Sequence, residues 1–376
     1  MSSPSNLWSL PHALADQRAH EAELVGALRR MCASGSCVLG AEAQAFESEF
    51  ADFLGVSHVV GVASGMDGIE VMMRALEIGA GSKVVVPSFA PSAVAAGVAR
   101  SGAEPVFADI EAGTFTLCAR SLDAVLRSPQ GRGVKAAVVV HRYGNLADWD
   151  GLQQVAQEHG IELLEDCSQA HGATWHGRKA GTLGRAAAFN FYPTKNLAAL
   201  GDAGALATND QKLAERLRLI GQSGWKQRYI NEHAGVHSHL DEVQAAVLRV
   251  KLRVLHGSLQ QRRKLAAEYD AILKDSHVVK APMVRRGCEH AYHQYVVRAE
   301  RRDELIQHLR REQIPVALHY PVPLHQQRGF GGSQVSLRES DRAAAAVISL
   351  PLHPCLSATA VGAVCDVMER FDHARC

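Results

Sequence analysis

The chain has 376 residues, 47% of them hydrophobic, which is enough for two or three cooperating structural units around a large buried core. Forty basic and thirty-nine acidic side chains leave a formal net charge of +1, so no global field favours nucleic acid or an anionic membrane surface. The eight cysteines form no Cys-x-x-Cys pair, and no apolar stretch is long enough to span a bilayer. We therefore expect a cytoplasmic protein with reduced thiols that binds neither nucleic acid nor membrane.

Short apolar runs alternate with amphipathic segments between about residue 58 and residue 208. A run that begins at His58 is followed by a periodic stretch from Met66 to Leu76, which predicts a strand and then a helix. Several runs are apolar on both faces, as strands of a covered, mostly parallel sheet are. The other strand candidates are Lys83–Pro87, Pro105–Asp109, Ala136–His141, Ile161–Glu165, Ala186–Tyr192 and Gly204–Thr208. This alternation predicts an α/β domain.

The pattern changes after residue 240. Apolar positions recur at helical spacing from Asp241 to Tyr269, which predicts one long helix that leaves the sheet domain. The predicted elements that follow are a strand, a helix, a strand and a closing helix, at Tyr292–Arg298, Arg302–Arg311, Pro315–Tyr320 and Thr359–Phe371. They suffice for a small α+β domain. We therefore expect a large domain over residues 1–245 and a small C-terminal domain over residues 246–376.

Three segments place polar residues at the carboxyl ends of predicted strands, where open α/β sheets usually bind ligands. In the first, a strand turns through Gly65 into a helix, and the free backbone N–H groups of Gly65 and Met66 could hold a phosphate. Turns of this kind are common, so the segment taken alone is more simply a structural connection.

The second segment joins an apolar strand to Glu165 and Asp166, two adjacent acids that face opposite sides of the sheet. One of them must face the interior, where a carboxylate is costly unless it has a cationic or strongly donating partner. A protonated pyridine nitrogen would be such a partner.

The third segment is an aromatic strand, residues 189–192, followed by Lys195 and by a run of small residues from Gly201 to Ala205. A lysine titrates readily when it loses solvent, and its neutral amine forms a Schiff base with an aldehyde. Taken singly, a loop lysine is far more often a solvated charge.

The three segments together resemble the DegT/DnrJ/StrS sugar-nucleotide aminotransferases, which are fold-type I enzymes dependent on pyridoxal 5'-phosphate. The resemblance extends from about Leu39 to the C-terminus. Other segments that carry it are residues 40–42, 102–110, 141–144, 240–246 and 319–325. It implies a large domain with a mostly parallel seven-stranded sheet flanked by helices, and a smaller C-terminal α+β domain.

The resemblance also implies roles for individual residues. Asp166 binds the pyridine nitrogen of the cofactor, Gln169 its ring hydroxyl and Lys195 its aldehyde carbon. An ionised Asp166 keeps the ring nitrogen protonated, which makes the ring an electron acceptor, and Lys195 carries the proton that moves during catalysis. The remaining cofactor contacts would be Gly65, Met66, Asn190 and, from the second subunit of a homodimer with shared active sites, His237.

The chain departs from the usual pattern of this family in four places, the last of which is a loop with two changed residues. Met66 stands where the phosphate-binding turn commonly has Thr, and Asn190 where a Ser often binds the phosphate, although an amide can still donate a hydrogen bond. Pro91 occupies a position where an aromatic often stacks on the cofactor ring. His237 and His239 replace Asn and Arg, which makes the positive charge of that loop depend on pH.

The resemblance implies transamination of a nucleotide-linked keto sugar with L-glutamate as the amino donor. The segment from Ser238 to Gln244 looks more like the subgroup that acts at position 3 of the sugar than the one that acts at position 4. Anionic groups of donor and substrate need cationic or hydrogen-bonding contacts, and the candidates are Arg228, His239, His319 and His325.

Two other functions stay open. A pyridoxal phosphate-dependent sugar dehydratase is disfavoured, because the resembling dehydratases have His where this chain has Lys195. A regulatory or scaffolding protein that binds the cofactor without turnover is suggested by Met66, Pro91 and the pair His237 and His239, since a fold does not guarantee a function.

We expect no metal site. The histidines at 233, 237 and 239 are candidates for a cluster, but Gly235 interrupts any helix there, and no carboxylate or Cys completes a usual ligand set. The chain also contains no Gly-x-Gly-x-x-Gly, no Gly-x-x-x-x-Gly-Lys-Ser/Thr and no His-Glu-x-x-His motif. Nicotinamide chemistry and nucleotide hydrolysis therefore lose support.

Overall fold

The computed structural model of the protein describes residues 18–227, 229–332 and 335–373. Its α-helices are α1 Glu21–Ser34, α2 Ala41–Leu54, α3 Gly65–Ala75, α4 Ser92–Arg100, α5 Ala119–Arg127, α6 Trp149–His159, α7 Gln211–Gly221, α8 Glu242–Leu273, α9 Arg302–Arg311, α10 Arg338–Ala346 and α11 Ala358–His373. The strands are β1 His58–Val62, β2 Lys83–Pro87, β3 Glu104–Ala108, β4 Val134–Val140, β5 Glu162–Asp166, β6 Thr174–Trp175, β7 Arg178–Lys179, β8 Ala187–Asn190, β9 Gly204–Thr208, β10 Trp225–Gln227, β11 Ile230–Asn231, β12 Val279–Lys280, β13 Cys288–Glu289, β14 Tyr295–Ala299 and β15 Val347–Leu350.

The central sheet has seven strands in the order β1-β9-β8-β5-β4-β2-β3. Strand β9 is antiparallel to both of its neighbours, whereas the pairs from β8 to β3 are all parallel. All seven strands predicted for the sheet domain lie in this sheet, with ends that differ from the prediction by at most two residues. The mostly parallel seven-stranded sheet with flanking helices is therefore confirmed.

Helices cover both faces of this sheet, and strand β2 demonstrates the resulting burial. Val84, Val85 and Val86 are all fully buried. Val85 belongs to the hydrophobic cluster that contains Phe50, while its two neighbours belong to the cluster on the other face, which contains Met72. Each such side chain contributes about 1.5–3 kcal/mol to folding by leaving water, which explains why the strand is apolar throughout.

The N-terminal end of α8 ties distant parts of the chain together. The carboxylate of Glu242 is buried and accepts hydrogen bonds of 2.9–3.0 Å from three backbone N–H groups at the start of α2, those of Gly40, Glu42 and Ala43. Two residues later, the Gln244 side-chain oxygen accepts a 2.8 Å hydrogen bond from the N–H of Leu200. The same helix end therefore holds α2 and the loop that follows Lys195.

Beyond α8, strand β14 pairs with β12 and β15 in an antiparallel three-stranded sheet. The predicted strand Pro315–Tyr320 is wrong, because in the described chain this segment makes only an isolated bridge between Ala317 and Ser349. The position beside β14 is taken by β15, which the sequence pattern did not indicate. The expected boundary between residues 245 and 246 falls inside α8 and stays a prediction. Among the described residues, no helix is both long enough and apolar enough to cross a membrane.

Candidate active site

A cavity of about 350 Å³ lies where β2 and β8 end. Its walls include Pro91, which follows β2, Asn190 and Lys195 at and after the end of β8, and Tyr320 from the segment ahead of α10. The cavity thus lies at the carboxyl edge of the sheet, where the parallel strands direct their loops. Its volume is in the range of small-molecule sites.

Lys195 lines this cavity, and the pKa of its amine differs from that of an ordinary, solvated lysine. Its side chain is only partly exposed. Burial lowers the pKa of its amine from 10.5 to about 8, against the attraction of the Asp166 carboxylate and with the help of the Arg142 charge. A fraction of the amine is therefore neutral near physiological pH, as attack on an aldehyde requires.

Asp166 ends strand β5 and is 2% exposed. One of its carboxylate oxygens accepts a 2.9 Å hydrogen bond from the N–H of Ser168. No nitrogen of a described Lys, Arg or His residue lies within 4.0 Å of the carboxylate. A buried acid without a close cation is suited to the protonated nitrogen of a heterocycle.

Gln169 follows in the same loop, and its amide orientation is fixed by two donors. The side-chain oxygen accepts hydrogen bonds from the backbone N–H of Tyr143 at 2.7 Å and from Arg142 Nη1 at 3.3 Å. Both bonds would be lost if the amide were reversed. The Nε2 group of Gln169 is therefore left to donate to another oxygen.

Asn190 and the N-terminus of α3 lie side by side and form a candidate phosphate cup. The first intrahelical bond of α3 is made by the N–H of Gly68 to the Ser64 carbonyl, so the N–H groups of Gly65 and Met66 precede the helical ladder and suit an anion. A Cβ atom at Gly65 would lie 2.5 Å from Cβ of Asn190, so only glycine permits this approach. The Asn190 oxygen accepts from the N–H of Tyr192 at 2.7 Å, which leaves its amide N–H groups as donors.

These groups fit pyridoxal phosphate. An amine of lowered pKa suits an aldehyde, a buried acid without a cation suits a pyridine nitrogen, and a fixed amide donor suits a ring oxygen. The N–H groups at the start of α3 suit a phosphate.

The loop that carries His237 and His239 is attached beside this cup. Ser238, which is buried between them, accepts a 3.0 Å hydrogen bond from the N–H of Ala63 and donates one of 3.1 Å to Asp67. The two imidazole rings lie 4.6 Å apart, and burial together with the neighbouring His237 lowers the pKa of His239. Of the substrate candidates, Arg228 lies outside the described residues.

The two other histidine candidates occupy different places. His319 lies next to Tyr320 of the cavity wall, and burial, with Arg142 and Lys195 adding, lowers its pKa to about 4. His325 is buried, 2.6 Å from the hydroxyl of Ser88, and is not among the described residues that line the cavity. His319 is thus the nearer of the two to the site.

Sequence reasoning missed the function of the second acid, Glu165. Its two oxygens accept four hydrogen bonds of 2.8–2.9 Å, from His141 Nε2 and from the backbone N–H groups of Gly181, Leu183 and Gly184. Burial alone would raise the pKa of Glu165, but these donors hold it below its ordinary value. His141, Glu165 and Cys167 are close enough to share a metal ion. However, both carboxylate oxygens are already engaged in fixing a turn beside β5.

Sequence reasoning also assigned no role to Arg142, whose fully buried guanidinium bonds to Gln169. The only signal for either group was its place in a segment at a strand end.

Comparison with known proteins gives a family match over most of the chain. The model of the DegT/DnrJ/EryC1/StrS aminotransferase family matches residues 18–369. A dTDP-3-amino-3,4,6-trideoxy-alpha-D-glucose transaminase from Streptomyces venezuelae is 40% identical over 360 residues, covering 94% of each chain. A UDP-2-acetamido-2-deoxy-3-oxo-D-glucuronate aminotransferase from Pseudomonas aeruginosa is 35% identical, covering 94% of this chain and 98% of the relative.

A third relative, from Geobacillus stearothermophilus, is 37% identical over 88% of this chain and 90% of its own length, and is named a pleiotropic regulatory protein. Among solved structures, S. venezuelae DesV in complex with a ketimine intermediate matches with a TM-score of 0.92 and 38% identity. That match covers 96% of this chain and 98% of DesV.

Proposed function

The chain belongs to the DegT/DnrJ/EryC1/StrS aminotransferase family of pyridoxal phosphate-dependent enzymes, and from this premise we propose that it transfers the amino group of L-glutamate to a nucleotide-linked 3-keto sugar. The observation that carries the proposal is Lys195, an amine with a pKa lowered to about 8 in a cavity at the carboxyl edge of the sheet. The names of the Streptomyces and Pseudomonas relatives support action at position 3 of the sugar. Because those two names carry dTDP and UDP, the proposal specifies a nucleoside diphosphate and leaves the base open.

In this proposal, four groups of the cofactor each have a partner in the protein. Lys195 binds the aldehyde carbon, Asp166 the ring nitrogen, Gln169 the ring oxygen, and the phosphate is held by Gly65, Met66 and Asn190. When bound, pyridoxal phosphate supplies an electron acceptor for the carbon that loses a proton. Asp166 would favour that property by stabilising the protonated form of the ring nitrogen.

Lys195 also moves the proton that the reaction requires. With the cofactor bound, its Nζ atom would accept and return a proton within the cavity. The lowered pKa suits both steps, since a group that titrates near the working pH can act as base and as acid. Lys195 and Asp166 are therefore the proposed catalytic residues.

We propose that two copies of the chain share their active sites, with His237 of the partner subunit reaching the phosphate cup. The support is the position of the loop, which Ser238 attaches to Ala63 and Asp67 beside that cup. His239, on the same loop, and His319, next to the cavity wall, are the proposed contacts for anionic groups of donor or substrate.

The test is the visible absorption of the cofactor-loaded protein, before and after L-glutamate is added. We expect glutamate to shift the visible band, and a 3-keto sugar nucleotide to restore it with formation of an amino sugar that mass spectrometry detects. Lys195→Ala should show neither change, because the variant lacks both the Schiff base amine and the proton carrier. A band that no amino donor alters would overturn the proposal.

The same test separates two other functions. The regulatory name of the Geobacillus relative favours, as a second candidate, a protein that binds the cofactor without turnover, and such a protein would leave the band unchanged by every donor. A sugar dehydratase would produce a sugar that has lost water and gained no nitrogen.

A further inference from the structure

Arg142 lies two residues after the end of β4, and its side chain is fully buried. Its guanidinium carbon is 4.1 Å from the ring centre of Tyr143, 4.6 Å from that of Tyr320 and 5.1 Å from that of Phe89. Cation–π attraction of this kind lowers the cost of the charge but does not neutralise it. The guanidinium is therefore a positive charge inside the protein, behind the Tyr320 wall of the cavity.

Among the described residues, the acceptors around this guanidinium are all neutral. Nη2 donates to the carbonyl of His319 at 2.6 Å and to the hydroxyl of Tyr143 at 3.3 Å, and Nη1 donates to Gln169. Nε has no partner among the described residues, and no described carboxylate oxygen lies within 4.0 Å of the group. Because a buried charge without a counterion is costly, such an arrangement favours an anion nearby.

Gln169 connects the charge to the cavity. Its side-chain oxygen is held by Arg142 and by the N–H of Tyr143, so its Nε2 group must point elsewhere. A cationic donor on the oxygen of an amide polarises the amide and strengthens its N–H groups as donors. The Arg142 charge therefore strengthens the hydrogen bond that Gln169 Nε2 donates to an oxygen in the cavity.

The other ionisable groups that face Arg142 do not supply the missing negative charge. Burial raises the pKa of Tyr143 to about 12 and lowers that of His319 to about 4, so both are neutral near pH 7. The Tyr320 ring covers the guanidinium, and Lys195 is a second cation below pH 8. Asp166 is the nearby acid, and it acts on Lys195.

We propose that Arg142 is a positioning residue for the ring oxygen of pyridoxal phosphate: it fixes the Gln169 amide toward that oxygen and supplies the buried positive charge that favours its ionised form. This inference rests on the proposed function only in that the cofactor must bind at Lys195. The Arg142 side chain acts on the ring oxygen without direct contact, through the Gln169 amide and through its own charge.

The test is a pH titration of the visible band of the cofactor-loaded protein, together with the dissociation constant of the cofactor. The midpoint of the titration reports loss of the proton between Lys195 Nζ and the ring oxygen. A positive charge favours this loss, so Arg142→Met, which keeps length but not charge, should raise the midpoint by about one pH unit. It should also weaken cofactor binding by about tenfold, because the ionised oxygen loses its counter-charge.

Two further variants make the result specific. Arg142→Lys keeps a cation as long as its buried amine stays protonated, so its midpoint should lie between those of wild type and Arg142→Met. Arg127→Met removes a guanidinium whose side chain is 64% exposed and should leave the midpoint unchanged. Thermal unfolding of the cofactor-free variants identifies any that fail to fold. If Arg142→Met does not fold, Arg142→Gln removes the same charge and should raise the midpoint in the same way.

An Arg142→Met or Arg142→Gln protein that binds cofactor with an unchanged midpoint would overturn the inference. The titration needs bound cofactor but no turnover. A wild-type protein that titrates normally but does not respond to glutamate would instead refute the proposed aminotransferase and leave the role of Arg142 standing.

Discussion

Burial of one amine decides the pH at which Lys195 can react. Desolvation lowers its pKa to about 8 because the charged form loses more by leaving water than it gains from Asp166. The neutral fraction of the amine therefore grows as the pH rises through that value. Nearly all of the amine is neutral at a pH well below 10.5, the ordinary pKa of a lysine.

In cofactor-free protein, we expect the rate at which pyridoxal phosphate attaches to Lys195 to rise about tenfold between pH 7 and pH 9 and then to level off. The increase follows the neutral fraction of an amine with a pKa of about 8. Stopped-flow absorbance measures it, with Lys195→Ala as the variant that gives no signal. A rate that keeps rising up to pH 10.5 would show that the amine is not desolvated.

The candidate site residues that the sequence indicated lie at the end of a strand or in the loop after it, as Asp166 at the end of β5 and Lys195 after β8 do. Their place along the chain already brings them to one edge of the sheet. The environment of Arg142 could not be predicted, because its guanidinium meets the carbonyl of His319, 177 residues away. No local pattern reveals a contact between segments that only the folded chain brings together.

Helix α8 stabilises the start of another helix, α2, through the buried carboxylate of Glu242 in its first turn. Three N–H groups at the start of α2 have this carboxylate as their acceptor. Helix N-termini otherwise leave such groups without intrahelical partners, and a negative charge there is favourable.

Replacing Glu242 by Gln should reduce the free energy of unfolding by about 1–3 kcal/mol, because the charge and one acceptor oxygen are lost from a buried site. The matched control is Glu312→Gln, whose side chain is 45% exposed and pairs with Arg370. That variant should stay within about 0.5 kcal/mol of wild type. Urea unfolding of the two proteins would contradict this account if both lost the same amount.

The strands of the central sheet were predictable because burial on both faces gives them consecutive apolar residues, such as Val84, Val85 and Val86 of β2. The C-terminal sheet was less so. Strand β15 is a run of only four residues, and the segment 315–320 has a similar apolar pattern but makes a single bridge. Which of two short apolar segments pairs with β14 is decided by tertiary packing, and periodicity does not report it.

At the scale of the whole molecule, the hairpin of β10 and β11 exposes large apolar side chains. Trp225 is 42% exposed, Tyr229 73% and Ile230 58%. The hairpin is continuous with the proposed shared loop, since Gln222 and His237 form a bridge at its base. Large exposed apolar groups of this kind typically mark a contact surface, and we assign this one to the second copy of the proposed dimer.

Sedimentation of the wild-type chain should therefore give twice its mass of 40.5 kDa. Ile230→Asp should shift the equilibrium toward monomer and weaken cofactor binding, because a charge at a buried contact is costly and the shared loop would be displaced. Ile272→Asp, at a residue 39% exposed on α8, serves as the control and should remain a dimer. An Ile230→Asp monomer with full activity would exclude a shared site.

The pairing of β1 with the antiparallel strand β9 affects how this protein folds while it is being synthesised on the ribosome. His58 of β1 pairs with Thr208 of β9, so the first strand has no neighbour until synthesis has passed residue 208. At about 5–20 residues per second, translation takes on the order of ten seconds to cover that distance. During this interval Val59, Val60 and Val62 have no strand to pair with. Lys195 lies in the loop between β8 and β9, so the pairing of β9 with β8 also closes the loop that carries this amine.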